Sequence, residues 1–139
     1  MTEAPIRILL VEDEPPLLQL IEKYLQRLGF EVETHLRSFD ALRNFEAAPD
    51  GYGMVIADLG MPDLPGDTLL TRMLEIRPNL RILVCSGSPF FIENLPLTLQ
   101  RQVAFLQKPF VPKMLAQAVE NLLKERPGTA AANPIQPPL

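Results

Sequence analysis

Met54-Val55-Ile56-Ala57-Asp58-Leu59-Gly60-Met61-Pro62 is the stretch on which the reading of this chain turns. A small apolar run leads straight into an aspartate, and Gly60 and Pro62 then break it. That is the pattern of a strand buried on both faces and ending in a turn. A carboxylate placed there emerges at the C-terminal edge of a sheet, where open α/β folds gather their chemistry. Capping a strand end or starting a turn is the commoner use of such an aspartate. Asp58 reads differently because other apolar runs in the chain also end in reactive residues.

Outward from this stretch, strand and helix patterns alternate. Ile6–Val11 is an apolar run that stops at Glu12-Asp13-Glu14. Pro15 and Pro16 suit the first turn of a helix, where a missing N–H costs little. Leu17, Ile21, Tyr24 and Leu28 follow at helical spacing, and Gly29 suits a C-terminal stop. Phe30–Thr34 alternates as a half-buried or edge strand does. Ser38 is placed to cap a second helix with Phe39, Leu42 and Phe45 on its inner face. Beyond Asp58, a third helix is expected from near Asp67, carrying Leu69, Leu70, Met73, Leu74 and Ile76. Arg81–Cys85 reads as the fourth strand, ending at Ser86-Gly87-Ser88, and Val103–Leu106 as a short fifth, ending at Gln107-Lys108-Pro109. Between them Pro96 interrupts any helix in Pro89–Gln102, and Phe90, Phe91 and Ile92 crowd apolar surface together. A last helix places Met114, Leu115, Ala118, Val119, Leu122 and Leu123 on one side. Five alternations imply an α/β fold, a parallel sheet covered on both faces by a doubly wound βα repeat. Residues 1–125 form this domain, and 126–139, rich in Pro and Ala, read as a flexible tail or linker.

The totals narrow the function. At 139 residues, 47% hydrophobic and 22% charged, the chain suits one soluble domain. Its net charge of -4 argues against direct nucleic-acid binding as the main activity. A lone cysteine, Cys85, sits inside an apolar run, which fits a reducing compartment. No run approaches the roughly 20 apolar residues of a membrane span, and the N-terminus lacks a secretory pattern, so a cytoplasmic location is expected.

On the inferred sheet, Glu12, Asp13, Asp58, Ser86 and Lys108 share one edge. Carboxylates held close together repel unless a cation sits among them. Oxygen donors without His or Cys favour magnesium, with manganese as the alternative. A carboxylate attacks phosphorus to form an aspartyl phosphate, and the transferred group needs its oxygens neutralised. A divalent ion, the Lys108 ammonium and the Ser86 hydroxyl suit that need, and Gly87 keeps the space beside them open.

From about Ile6 to Lys124 the chain resembles the receiver domain of two-component response regulators. The resemblance rests on Val11-Glu12-Asp13-Glu14, on Asp58-Leu59-Gly60-Met61-Pro62 with Gly66 beyond, on Ser86, and on Lys108-Pro109-Phe110. It implies a flavodoxin-like strand order 2-1-3-4-5, with Asp58 accepting a phosphoryl group from a histidine kinase or phosphotransfer protein. It also implies magnesium held by Asp13, Asp58 and the Gly60 carbonyl, with Glu12 acting through water. Ser86 and Lys108 would touch the phosphoryl group, Lys108-Pro109 would be cis, and Phe105 would match the switch aromatic or be plain core. Such a domain is no enzyme beyond catalysing its own phosphorylation and dephosphorylation. Its partners would be the donor and a downstream protein, with homodimerisation on phosphorylation a further option. The Ser86-Gly87 pair and Lys108-Pro109-Phe110 lean toward receivers of hybrid histidine kinases.

The chain departs from the pattern in its Glu-Asp acidic pair, where Asp-Asp is common, and in Gly60, which offers no side chain beside the phosphate. Of the rivals, a flavin carrier fails because Glu12-Asp13-Glu14 would repel a cofactor phosphate. A haloacid-dehalogenase-like phosphatase fails because Gly60 stands where its second aspartate belongs. A receiver-like scaffold that binds partners without phosphorylation stays open. His35 and the loop residues Asp63 and Asp67 carry no assigned chemistry.

Overall fold

A computed structural model describes residues 5–90, 93 and 95–124. Phe91 and Ile92, and the tail expected at 126–139, lie outside the described residues. The strands are β1 (Arg7–Val11), β2 (Glu31–His35), β3 (Met54–Asp58), β4 (Ile82–Ser86) and β5 (Val103–Gln107). The helices are α1 (Pro15–Arg27), α2 (Ser38–Ala47), α3 (Gly66–Ile76), α4 (Leu97–Gln100) and α5 (Pro112–Lys124), with a 3-10 turn at Pro49–Gly51. All strand pairs are parallel, in the order β2-β1-β3-β4-β5.

The apolar runs are continuous because both faces of the sheet are covered. Successive side chains point to opposite faces. Leu9, Val11, Val55, Ala57, Ile82 and Val84 therefore pack with Phe45 of α2 and with Leu69, Leu70 and Met73 of α3. Their neighbours Ile8, Leu10, Met54, Ile56, Leu83 and Cys85 pack with Leu18, Ile21 and Leu25 of α1 and with Leu115, Val119 and Leu122 of α5. β2 has a single strand neighbour and is only partly buried, which is why its residues alternate.

Gly29 ends α1 as expected. At φ 100° it lets its own N–H reach the Gln26 carbonyl and lets the Phe30 N–H reach Leu25. These are the paired bonds of a Schellman stop.

Three local expectations need correction. Ser38 is not the cap of α2 but its first residue, and its hydroxyl is buried without a hydrogen-bond partner. The first amides of α2 are instead satisfied by Asp63 of the loop between β3 and α3, whose carboxylate accepts from Ser38 N–H at 3.1 Å and Phe39 N–H at 2.9 Å. Phe39 is 53% exposed. The buried stripe runs through Ser38, Ala41 and Phe45, and Phe39 lies about 200° around the helix from Ala41. Met114 is likewise exposed, because the inner stripe of α5 begins at Leu115. Among the described residues of the segment interrupted by Pro96, α4 is a helix of four residues.

The β3–α3 loop is folded tightly on itself. A Cβ on Gly66 would come within 2.5 Å of the Leu59 Cα and 2.7 Å of its Cβ. Backbone cannot yield as a side-chain tip can. Gly66→Ala should therefore cost about 2 kcal/mol in urea denaturation, and a loss within measurement error would show that the loop relaxes freely.

Candidate functional site

The C-terminal ends of β1, β3, β4 and β5 lie along one edge of the sheet because all strands run the same way. β3 delivers Asp58, which is 6% exposed although it ends in a loop. Its Oδ1 accepts the Gly60 N–H at 2.9 Å, which fixes the carboxylate and the first turn of the loop together. Just past β1, Glu12 is 1% exposed. The Glu12 N–H extends the β1–β2 ladder by bonding the His35 carbonyl at 3.1 Å, and Glu12 Oε2 accepts the Glu14 N–H at 3.2 Å. Oxygens of Glu12, Asp13 and Asp58 all lie within 4.8 Å of one another.

Lys108 reaches into this acidic group from the end of β5. Its Nζ lies 2.9 Å from Glu12 Oε1 and 3.1 Å from Asp58 Oδ2. The Lys108 N–H bonds the Ser86 carbonyl at 2.9 Å, and the Lys108-Pro109 bond is cis, as the resemblance implied. Burial pushes the Glu12 carboxyl up, and the Asp58 charge adds to that; the Lys108 hydrogen bond and charge oppose it without cancelling it. Burial opposes the Lys108 charge too, but hydrogen bonds to Glu12 and Asp58 and their negative charges outweigh it and raise its pKa. Both shifts point upward because Lys108 keeps some solvent while Glu12 has almost none.

Ser86 ends β4 one residue beyond Cys85, the register partner of Asp58. It is 3% exposed, and its Oγ accepts the Ser88 N–H at 3.1 Å. A Cβ on Gly87 would meet nothing within 4 Å, so the space beside the site is open. Phe105 is half-buried, with its ring 6.1 Å from that of Phe90. Cys85 is buried, and burial pushes its thiol up to about 12, which makes it inert at neutral pH.

The expected residues thus converge: Glu12, Asp13, Asp58 and Lys108 form one cluster, with Gly60 bonded to it and Ser86 tied to Lys108 through the backbone. The sequence reading had no sign of the Asp63 bonds to α2. It also missed a side cluster in which Glu33 accepts from Arg7 at 2.7 Å and Tyr52 at 2.9 Å while His35 Nε2 lies 2.8 Å away. The β1–β2 register and the position of Tyr52 bring Arg7 and Tyr52 to Glu33, whereas His35 follows it by two residues on the same face of β2.

The profile of the response regulator receiver domain family matches residues 8–120. This chain belongs to that family. Among relatives, the receiver is 31% identical to the sensor kinase CckA of Brucella abortus (strain 2308), over 86% of this chain and 13% of the kinase. It is 28% identical to the response regulator receiver protein CpdR of the same organism, over 84% of this chain and 96% of CpdR. The solved receiver domain of the hybrid histidine kinase CckA superposes with a TM-score of 0.71 at 30% identity, covering 85% of this chain and 99% of that one. A receiver domain protein from Clostridium thermocellum gives 0.73 at 29% identity, covering 85% and 94%. The receiver spans only 13% of CckA and 25% of the regulator NtrC of Azospirillum brasilense. Among the described residues, no helix is long and apolar enough to cross a membrane.

Proposed function

We propose that this receiver accepts a phosphoryl group on Asp58 from the phosphohistidine of a histidine kinase or phosphotransfer protein. The observation that carries this is a buried carboxylate at a strand end with two further carboxylates within 4.8 Å and one lysine 3.1 Å away. An Asp58 oxygen attacks phosphorus, the phosphorus–nitrogen bond breaks, and the imidazole leaves with the electron pair and takes up a proton. The Lys108 ammonium, already against Asp58 Oδ2, pairs with a phosphoryl oxygen as charge moves onto it. The Ser86 hydroxyl, whose oxygen accepts the Ser88 N–H, donates its own proton to a phosphoryl oxygen. A groove of about 340 Å³ lined by Glu14, Leu17, Lys108, Pro109 and Phe110 lies beside Lys108, where a docking donor would find apolar surface next to this edge.

The donor set is all oxygen, which fits magnesium, or manganese in its place. Asp13, Asp58 and the Gly60 carbonyl would hold the ion, with Glu12 acting through water. When bound, it would neutralise phosphoryl oxygens during transfer. The protein would catalyse only its own phosphorylation and dephosphorylation and pass the signal to a downstream protein.

Intact mass after incubation with acetyl phosphate tests the reading. One phosphoryl group should be added with magnesium and none with a chelator; unaltered mass with magnesium present would defeat it. Magnesium at ten times its dissociation constant should stabilise folding by about 1.4 kcal/mol. Asp13→Ala should erase most of that gain while leaving the metal-free protein as stable or more so, because it removes one repelling charge. A melting shift that survives Asp13→Ala would take this residue out of the metal site.

A further inference from the structure

The loop from Leu59 to Pro65 carries Gly60 and joins β3 to α3. It is held at three places. At its start, Gly60 N–H is bonded to Asp58 Oδ1 at 2.9 Å. At its end, Gly66 presses against Leu59, where no side chain would fit. Between these, Asp63 reaches out of the loop to α2, 24 and 25 residues earlier in the chain. Its Oδ1 accepts Ser38 N–H and its Oδ2 accepts Phe39 N–H, so each carboxylate oxygen holds one of the amides that a helix start leaves unpaired. Its carboxyl sits below the usual range: its slight burial acts the other way, but the hydrogen bonds from Phe39 and Ser38 prevail, and the Arg37 charge adds to them.

A cap ordinarily comes from the residue just before the helix. Here α2 has none of its own, since Arg37 stands at that position without a side-chain bond and the Ser38 hydroxyl is unpartnered. Those two amides therefore depend on the loop for their partners, and the loop on those two bonds for its anchor. We propose that Asp63 is a positioning residue for the phosphoacceptor site, fixing the Gly60 backbone for metal by anchoring the loop to α2. The proposal rests on the phosphoacceptor reading, because it takes Gly60 as a ligand. It carries a reciprocal consequence: if the anchor favours the metal-ready loop, metal must favour the anchor by the same factor.

Magnesium titration by calorimetry on the full chain, with amide exchange in parallel, tests this. Asp63→Ala should weaken magnesium affinity about tenfold, the low end of what losing an outer support costs a metal site. Asp63→Asn keeps one carbonyl oxygen and should fall between, and it carries the test should the alanine variant fail to fold. Ala41→Gly loosens α2 from within while leaving both Asp63 bonds in place. It should lower the melting temperature and leave magnesium affinity unchanged. In the unaltered chain magnesium should slow exchange at the Ser38 and Phe39 amides, and in Asp63→Ala it should not. Unchanged affinity in the Asp63 variants, or an equal fall in Ala41→Gly, would overturn this inference and leave the phosphoacceptor reading standing. Failure of the unaltered chain to bind magnesium would overturn both.

Discussion

Asp58→Asn should take up no phosphoryl group under conditions that label the unaltered chain fully. The substitution is nearly isosteric, and the side-chain oxygen that accepts Gly60 N–H at 2.9 Å can stay where it is. What disappears is the nucleophile, since a neutral amide does not form an acyl phosphate. Neither remaining carboxylate is a ready substitute. Glu12 has one oxygen against Lys108 at 2.9 Å and the other bonded to Glu14 N–H, and it lies almost wholly out of solvent. Asp13 is the more accessible, but it starts from a different strand end and lacks the Lys108 contact that Asp58 has. Intact mass and peptide mapping of both proteins decide the matter. Undiminished labelling of Asp58→Asn would move the acceptor elsewhere and break the proposed chemistry.

Much of this site was legible because parallel strands buried on both faces write themselves as unbroken apolar runs. Each run of that kind stops where its strand leaves the core, so the residue after it marks the sheet edge. Met54–Asp58 followed by Gly60 and Pro62 is the clearest case, and every residue of β3 is buried. The strand order, by contrast, came from resemblance, because a crossover leaves no trace in periodicity. What escaped the sequence is what depends on distance along the chain. Ser38 has the chemistry of a cap, yet its hydroxyl is buried at the first helical position, and Asp63 does the work across 25 residues. Phe39 was placed inside by hydrophobicity alone; the true stripe includes the small Ser38 and Ala41, whose burial no hydropathy pattern advertises. Nor does spacing reveal that the Lys108 ammonium lies against Glu12 as closely as against Asp58.

That last contact has the largest expected effect on stability. In the metal-free protein Lys108 is the cation between two buried carboxylates, at 2.9 Å from Glu12 and 3.1 Å from Asp58. Removing one partner of a buried pair leaves the other charge uncompensated, which costs far more than the pair itself contributes. Lys108→Met, measured by urea denaturation at neutral pH with a chelator, should lose about 3 kcal/mol. The loss should depend on pH in a defined direction. Glu12 already titrates above its ordinary 4.5 because burial outweighs Lys108, and removing Lys108 raises it further. Between 4.5 and that raised value the folded state binds more protons than the unfolded one, so stability falls as pH rises through the window. The deficit of Lys108→Met should therefore shrink on acidification toward the unfolded value and reach its full size above the folded one. At the alkaline end the unaltered chain should lose the Lys108 contribution as pH rises through the raised folded pKa of the lysine, above 10.5. Divalent ions should restore much of what Lys108→Met loses near neutrality, since a metal among Glu12, Asp13 and Asp58 answers the same repulsion. A deficit of no more than about 0.5 kcal/mol, the scale of an exposed ion pair, or one indifferent to both pH and magnesium, would mean that water already screens these carboxylates and that Lys108 is not their counter-charge.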